Sequence, residues 1–170
     1  MRHFLKNKIN YAGIDWESTL SGTGTRVVLY LQGCEHHCEH CHNKTTWNPK
    51  LGTMLTVQEL KQIITTVNED ELLTGVTLSG GDPFFNQQAL LEILIYLKEN
   101  LDPKKNIWCY TGYTYEDLEG FGLQKQLKLI DVLVDGKYVK ELNTNNHKFR
   151  GSSNQRILTL KEGKICEERF

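Results

Sequence analysis

The stretch RVVLYLQGCEHHCEHC, residues 26–41, decides how this chain is read. Its first half, Arg26 to Gln32, is β-branched and aromatic, the composition of a buried strand. Its second half places Cys34, Cys38 and Cys41 within eight residues. Thiolates bind iron strongly, and a [4Fe–4S] cluster normally takes four cysteines. Three would leave one iron without a protein ligand, open to a small molecule that can receive an electron. Zinc is the competing metal, because His36, His37, His40 or His42 could complete a Cys3His site. Otherwise the histidines read as solvated loop residues. Spacing alone leaves both metals open.

The cysteines number five, an odd count, and three of them are clustered, unlike a disulfide framework. Cys109 and Cys166 stand alone and read as small buried hydrophobes.

Outward from this stretch, strands and helices alternate. Thr56-Val57-Gln58-Glu59 is a capping-box pattern opening a helix with Val57, Leu60, Ile63, Ile64 and Val67 on one face. Gly75 to Ser79 is a second strand, ending in Gly80-Gly81-Asp82-Pro83. Gln87 to Glu99 is a helix with Leu90, Leu91, Leu94 and Leu97 inward. Asn106 to Thr111 is a third strand, ending in Gly112-Tyr113, and Thr114 with Asp117 caps a short helix. Ile130 to Asp135 is a fourth strand, ending in Gly136-Lys137. A strand pair at about 155–168 closes the chain, turning at Glu162-Gly163.

This alternation implies an α/β fold with a mainly parallel sheet and right-handed crossovers. The chain, read as one domain over 1–170, is short of the roughly 250 residues of a closed eight-stranded barrel. An open, partial barrel is expected. Loops after the C-terminal ends of parallel strands build the site in such sheets. The cysteines, Gly80-Gly81-Asp82, Thr111-Gly112-Tyr113 and Asp135-Gly136-Lys137 all occupy that position.

Each segment has a plainer reading. Glycine and proline after a strand serve an ordinary turn. Alternatively, Gly80 and Gly81 let backbone approach a ligand, with Asp82 near a cationic amino group. Asp135 and Lys137 are either surface charges or contacts to a zwitterionic amino acid. Gly22-Thr23-Gly24-Thr25-Arg26 is a plain loop or a segment closing near the cysteines.

The composition, 39% apolar and 24% charged with net charge −1, is that of an ordinary globular chain. No basic block points to nucleic acid or an anionic membrane. The opening residues Met1 to Lys6 lead into no apolar run, so neither a secretory signal nor a membrane span of about 20 residues is expected. A cytoplasmic location is the expectation.

The C-x3-C-x2-C spacing followed by GGDP resembles the radical S-adenosylmethionine (SAM) superfamily. The match is closer still to one of its branches. GCEHHCEHCHNKTTW at 33–47, LSGGDP at 78–83, IWCYTGY at 107–113, VLVDGKY at 132–138 and RGSSNQR at 150–156 occur in order. This series resembles the activating proteins of the anaerobic ribonucleoside-triphosphate reductase, over about residues 11 to 158. Two positions depart from the superfamily pattern. His40 replaces the usual aromatic residue before the last cysteine, and Thr23 stands where a GPG-x-R segment has proline.

The resemblance implies a radical SAM fold and a specific chemistry. Cys34, Cys38 and Cys41 would hold one [4Fe–4S] cluster, and SAM would chelate its open iron. Gly80, Gly81 and Asp82 would face the methionine amino group. His40, Cys41 and His42 would line the adenosine side, and Asp135 and Lys137 the methionine part. No side chain would be catalytic in itself, since cluster and SAM carry the chemistry. An electron from flavodoxin or a similar donor would cleave SAM to methionine and a 5′-deoxyadenosyl radical. That radical would take hydrogen from a glycine of the reductase, leaving a glycyl radical. The alternatives are activation of another glycyl-radical enzyme such as pyruvate formate-lyase, a non-catalytic zinc-binding module, or an electron carrier.

Overall fold

In the computed structural model, which describes residues 5–143 and 145–169, the strand of the opening stretch is β2, Thr25–Leu31. Met1 to Phe4 of the N-terminal stretch, and Thr144 and Phe170 of the span read as one domain, lie outside the described residues. Before β2 comes β1, Asn10–Ser18, and after the cysteine loop come β3, Thr53–Met54, and helix α1, Val57–Glu69. The second strand is β4, Leu73–Gly80, followed by helix α2, Gln87–Asn100. Then follow β5, Asn106–Tyr110, two short helices α3, Tyr115–Gly120, and α4, Gln124–Leu127, and β6, Val132–Asp135. The closing hairpin is β7, Arg156–Lys161, and β8, Lys164–Arg169.

All eight strands form one sheet in the order β3-β1-β2-β4-β5-β6-β7-β8. The neighbours β2, β4, β5 and β6 are parallel, as the alternation implied. The expectation of a mainly parallel sheet needs correcting. β1 and β3 on one side, and β7 and β8 on the other, add four antiparallel pairings to the three parallel ones. Only β7 and β8 are joined by a tight turn, at Glu162-Gly163; β3 returns beside β1 after the cysteine loop, and residues 136–155 bring β7 back antiparallel to β6.

Local chemistry accounts for the helix starts. The Thr56 N–H donates to the Glu59 carboxylate at 2.9 Å. At α3 the bonds are reciprocal: Asp117 N–H to Thr114 Oγ1 at 3.1 Å, and Thr114 N–H to Asp117 Oδ2 at 3.0 Å. Each box satisfies amides that the first helical turn leaves without partners.

Leu60, Ile63, Ile64 and Val67 of α1 and Leu90, Ile93, Leu94 and Leu97 of α2 are buried against one sheet face. Ile93 takes the central place expected for Leu91, which is only half-buried. Val27, Leu29, Val76, Leu78, Cys109 and Leu133 point into this layer. The alternate residues Trp108, Val132 and Val134 point to the opposite face, where Tyr110 and Phe149 pack on them. Period-2 alternation thus gives the sheet two apolar sides. No described helix is long and apolar enough to cross a membrane.

Arg26 is fully buried on the second face. Its guanidinium donates to Thr77 Oγ1 at 2.8 Å and to the carbonyls of Val76 and Asn106 at 2.9 Å each. It also lies 5.5 Å from the Trp108 ring centroid. Burial lowers its pKa to about 10, short of neutralising it at physiological pH. Gly22 and Gly24 pack on Arg26 and Thr74, at the start of β2 and β4. The 22–26 segment therefore sits at the opposite end of these strands from the cysteine loop.

Candidate metal centre

The cysteine loop leaves β2 at its C-terminal end and is pinned there by backbone. Gly33 N–H donates to the Thr46 carbonyl at 2.7 Å and Cys34 N–H to the Trp47 carbonyl at 3.1 Å. Asp82 N–H reaches the Gly33 carbonyl at 2.8 Å, and Gly81 N–H the Leu31 carbonyl at 2.9 Å. The GGDP turn is thus bonded directly to the root of the loop. Cys41 N–H closes a turn on the Cys38 carbonyl at 3.1 Å.

Cys34, Cys38 and Cys41 are free thiols of intermediate burial that line one cavity of about 210 Å³. Around them stand Ser79, Gly80 and Gly81 from the end of β4, Tyr110 to Gly112 from the end of β5, and Gly136 and Tyr138 beyond β6. Gly151 and Gln155 close the far side. Asn43 N–H lies 3.4 Å from Cys41 Sγ, a contact of the kind that tunes cluster sulfurs. Burial pushes the Cys34 thiol up to about 11, against the pull of the His36 amide. It also raises the Cys38 thiol, which the Lys137 charge pulls back down. Metal binding must supply the free energy to deprotonate them. Among the described residues, no three His, Cys, Asp or Glu side chains are grouped as a single-ion site. Three thiols facing a shared cavity, ringed by glycine backbone, fit the donor chemistry of an iron–sulfur cluster.

The expected site residues divide. Cys34, Cys38, Cys41, His42, Gly80 and Gly81 line the cavity together. Lys137 is exposed beside it, near enough to act on Cys38. His40 does not line it. Its backbone is left-handed at φ 57° and its side chain points outward, 3.2 Å from Lys140 Nζ.

Asp82 and Asp135 do not line the cavity, and both are buried. Asp82 is 2% exposed and its carboxylate is engaged by the protein: Oδ1 by Phe84 N–H at 2.9 Å, and Oδ2 by Gly112 N–H at 2.9 Å and Thr111 Oγ1 at 3.0 Å. Asp135 is 1% exposed. It accepts from Tyr115 N–H at 2.7 Å and from Arg156 at 2.5 and 3.0 Å. Its place on β6 explains why. Leu133 faces the helices, so Asp135 two residues on does too, whereas the cavity lies on the side of Tyr110. Residues the motif reading did not assign include Tyr138, Gly151 and Gln155, although the strings GKY and RGSSNQR contain them.

Gly81 has a sharp steric requirement. A Cβ there would lie 2.3 Å from the Gly33 carbonyl oxygen and 2.8 Å from that of Thr46. Both are backbone, so neither can rotate away. Gly81→Ala is expected to cost about 3 kcal/mol, read as a lowered urea midpoint. An unchanged midpoint would mean that the loop root yields freely.

Comparison with known proteins agrees with this geometry. A family model described as a 4Fe-4S single cluster domain matches residues 20–158. The anaerobic ribonucleoside-triphosphate reductase-activating protein of Enterobacteria phage T4 is 37% identical over 157 residues, 91% of this chain and 97% of the relative. The protein of the same name from Escherichia coli K12 is 38% identical, over 84% of this chain and 93% of its own. That from Vibrio cholerae is 38% identical, over 81% and 90%. With both the cluster-domain match and these near full-length relatives spanning the cysteine loop and the strand-end segments around it, the chain belongs to the family of anaerobic ribonucleoside-triphosphate reductase-activating proteins.

Proposed function

We propose that this chain activates an anaerobic ribonucleoside-triphosphate reductase by reductive cleavage of SAM and hydrogen abstraction from a glycine of that reductase. The observation that carries the reading is the convergence of Cys34, Cys38 and Cys41 on one cavity with Gly80, Gly81 and Gly112. When bound at these thiols, a [4Fe–4S] cluster supplies the single electron that breaks the C5′–S bond of SAM. Methionine leaves, and the hydrogen lost by the glycine Cα ends in 5′-deoxyadenosine. An external one-electron donor such as flavodoxin balances the step.

The chain's own residues bind and orient. Cys34, Cys38 and Cys41 would hold the cluster, and its remaining iron would be available to the amino and carboxylate groups of SAM. The backbone of Gly80 and Gly81, which lines the cavity, offers carbonyls to the methionine amino group. His42, which lines the cavity and whose ring lies 5.7 Å from that of Tyr138, borders the adenosine side. Lys137 supplies a positive charge at the rim for the carboxylate. The architecture is taken as the open, partial barrel of radical SAM enzymes, its mouth left for a large protein substrate whose glycine loop excludes water.

Anaerobic reconstitution with iron and sulfide, followed by reductant, SAM and the reductase, tests this. A brown protein, 5′-deoxyadenosine release and a glycyl radical signal in electron paramagnetic resonance are expected. A preparation that stays colourless would favour zinc and sink the reading. One that reduces and reoxidises without cleaving SAM would be an electron carrier.

A further inference from the structure

We propose that Asp82, His36 and Gly112 form a seat that orients the cysteine loop, so that Asp82 and His36 are positioning residues for the cluster rather than contacts to SAM. The inference rests on the reading above only in taking the three cysteines as cluster ligands.

The anchor is a single buried carboxylate on which three separate segments meet. Asp82 belongs to the turn after β4, Thr111 and Gly112 to the end of β5, and His36 to the cysteine loop. His36 Nε2 lies 2.6 Å from Asp82 Oδ2, which already accepts from Gly112 N–H and Thr111 Oγ1. Three donors use up the lone-pair capacity of that oxygen, and Oδ1 is held by Phe84 N–H. With Asp82 only 2% exposed, a ligand's amino group reaches this carboxylate only if the seat opens.

The seat is shaped for His36. A Cβ at Gly112 would lie 2.6 to 2.9 Å from three His36 ring atoms, so the imidazole rests on bare backbone. Tyr113 completes the grip. Its ring meets that of His36 edge-on at 4.4 Å, and its hydroxyl donates to Glu35 Oε1 at 2.5 Å. His36 lies midway between Cys34 and Cys38, and its side chain is only 12% exposed, whereas His37, His40 and His42 are exposed. The Thr-Gly-Tyr segment thus gains a role that the SAM reading leaves unassigned: it holds the span between the first two ligands. Partners in this outer layer typically change metal affinity 10- to 100-fold.

The test uses the reconstituted full chain with His36→Ala, His36→Gln, Gly112→Ala and Asp82→Asn. Iron per chain, the rate of iron loss to a chelator, and the resonance spectrum of the reduced cluster with and without SAM are measured. His36→Ala and Gly112→Ala are expected to lose iron at least about tenfold faster than wild type. His36→Gln, whose amide can still donate to Asp82, should recover most of the difference. Every variant that holds a cluster, Asp82→Asn included, should still show the SAM-induced spectral change. His36→Ala with the wild-type rate of iron loss overturns the seat. So does Asp82→Asn that keeps its cluster but no longer responds to SAM, which would return Asp82 to the ligand. Should Gly112→Ala fail to fold, the His36 pair decides alone. A wild-type protein that takes up no iron overturns both this and the proposed function. A wild type that holds a cluster without cleaving SAM overturns only the latter.

Discussion

Cys34→Ala, Cys38→Ala and Cys41→Ala are each expected to lower 5′-deoxyadenosine release by at least about a hundredfold, since first ligands matter more than the outer partners that cost 10- to 100-fold. The reason is geometric as well as chemical. All three thiols line one cavity and come from one short loop, so no other cysteine is placed to substitute. Cys109 is fully buried within β5, its side chain in the layer beneath the helices, whereas Cys166, expected to be buried as well, is exposed because its strand β8 is the outer edge of the sheet. Cys109→Ala and Cys166→Ala should therefore keep the wild-type iron content. Iron analysis and product chromatography on the reconstituted proteins check both halves. A Cys109→Ala protein without iron would overturn the ligand assignment. A Cys38→Ala protein with wild-type turnover would do the same.

The second large effect lies away from the metal centre. Arg156 donates to both oxygens of Asp135 and also to Glu116 at 2.7 and 3.2 Å. Asp135 is almost wholly buried, Arg156 is 20% exposed and Glu116 is at the surface. Removing the arginine leaves a buried carboxylate with only the Tyr115 amide to meet it. Breaking such a pair from one side costs about 3–5 kcal/mol, and the partial exposure of Arg156 favours the lower end. Arg156→Met is expected to destabilise the chain by about 3 kcal/mol in urea unfolding. Arg156→Met combined with Asp135→Leu should recover much of that, because no uncompensated charge remains. A loss below about 1 kcal/mol for Arg156→Met would show that water already screens the pair.

The comparison of sequence with structure turns on these same acids. Asp82 and Asp135 lie at strand ends, a position that left each as an ordinary turn or surface residue or as a ligand contact, and the family resemblance implied the contact. Their backbone does lie at the rim. Side-chain direction is a separate matter. For Asp135 it was readable from strand parity, since Leu133 and Asp135 must share a face. For Asp82 it was not, because the carboxylate's partners come from β5 and the cysteine loop, and contacts between distant segments leave no local pattern. His36 shows the same gap in reverse. Read as a solvated loop residue, it is held by two other segments.

Elements with strong periodicity were legible: β2, β4, α1 and α2 fall close to their expected ranges. β1 was missed because Asn10 to Ser18 mixes polar residues with Gly13 and carries two register shifts against β2, which spoil alternation. β3, only two residues long, presents no period at all.

The two ends of the sheet have a consequence of their own. An outermost strand offers unpaired amides and carbonyls, a template for joining another chain into a fibre. On one side β3 covers only Asn10 and Tyr11 of β1, so the rest of β1 forms the outer edge there, interrupted by its two register shifts. On the other side, β8 carries Lys164, Glu167, Glu168 and Arg169, all exposed. Bringing a second strand against that row would strand charges without water. The β8 side of the sheet is thereby guarded against continuation from one molecule into the next.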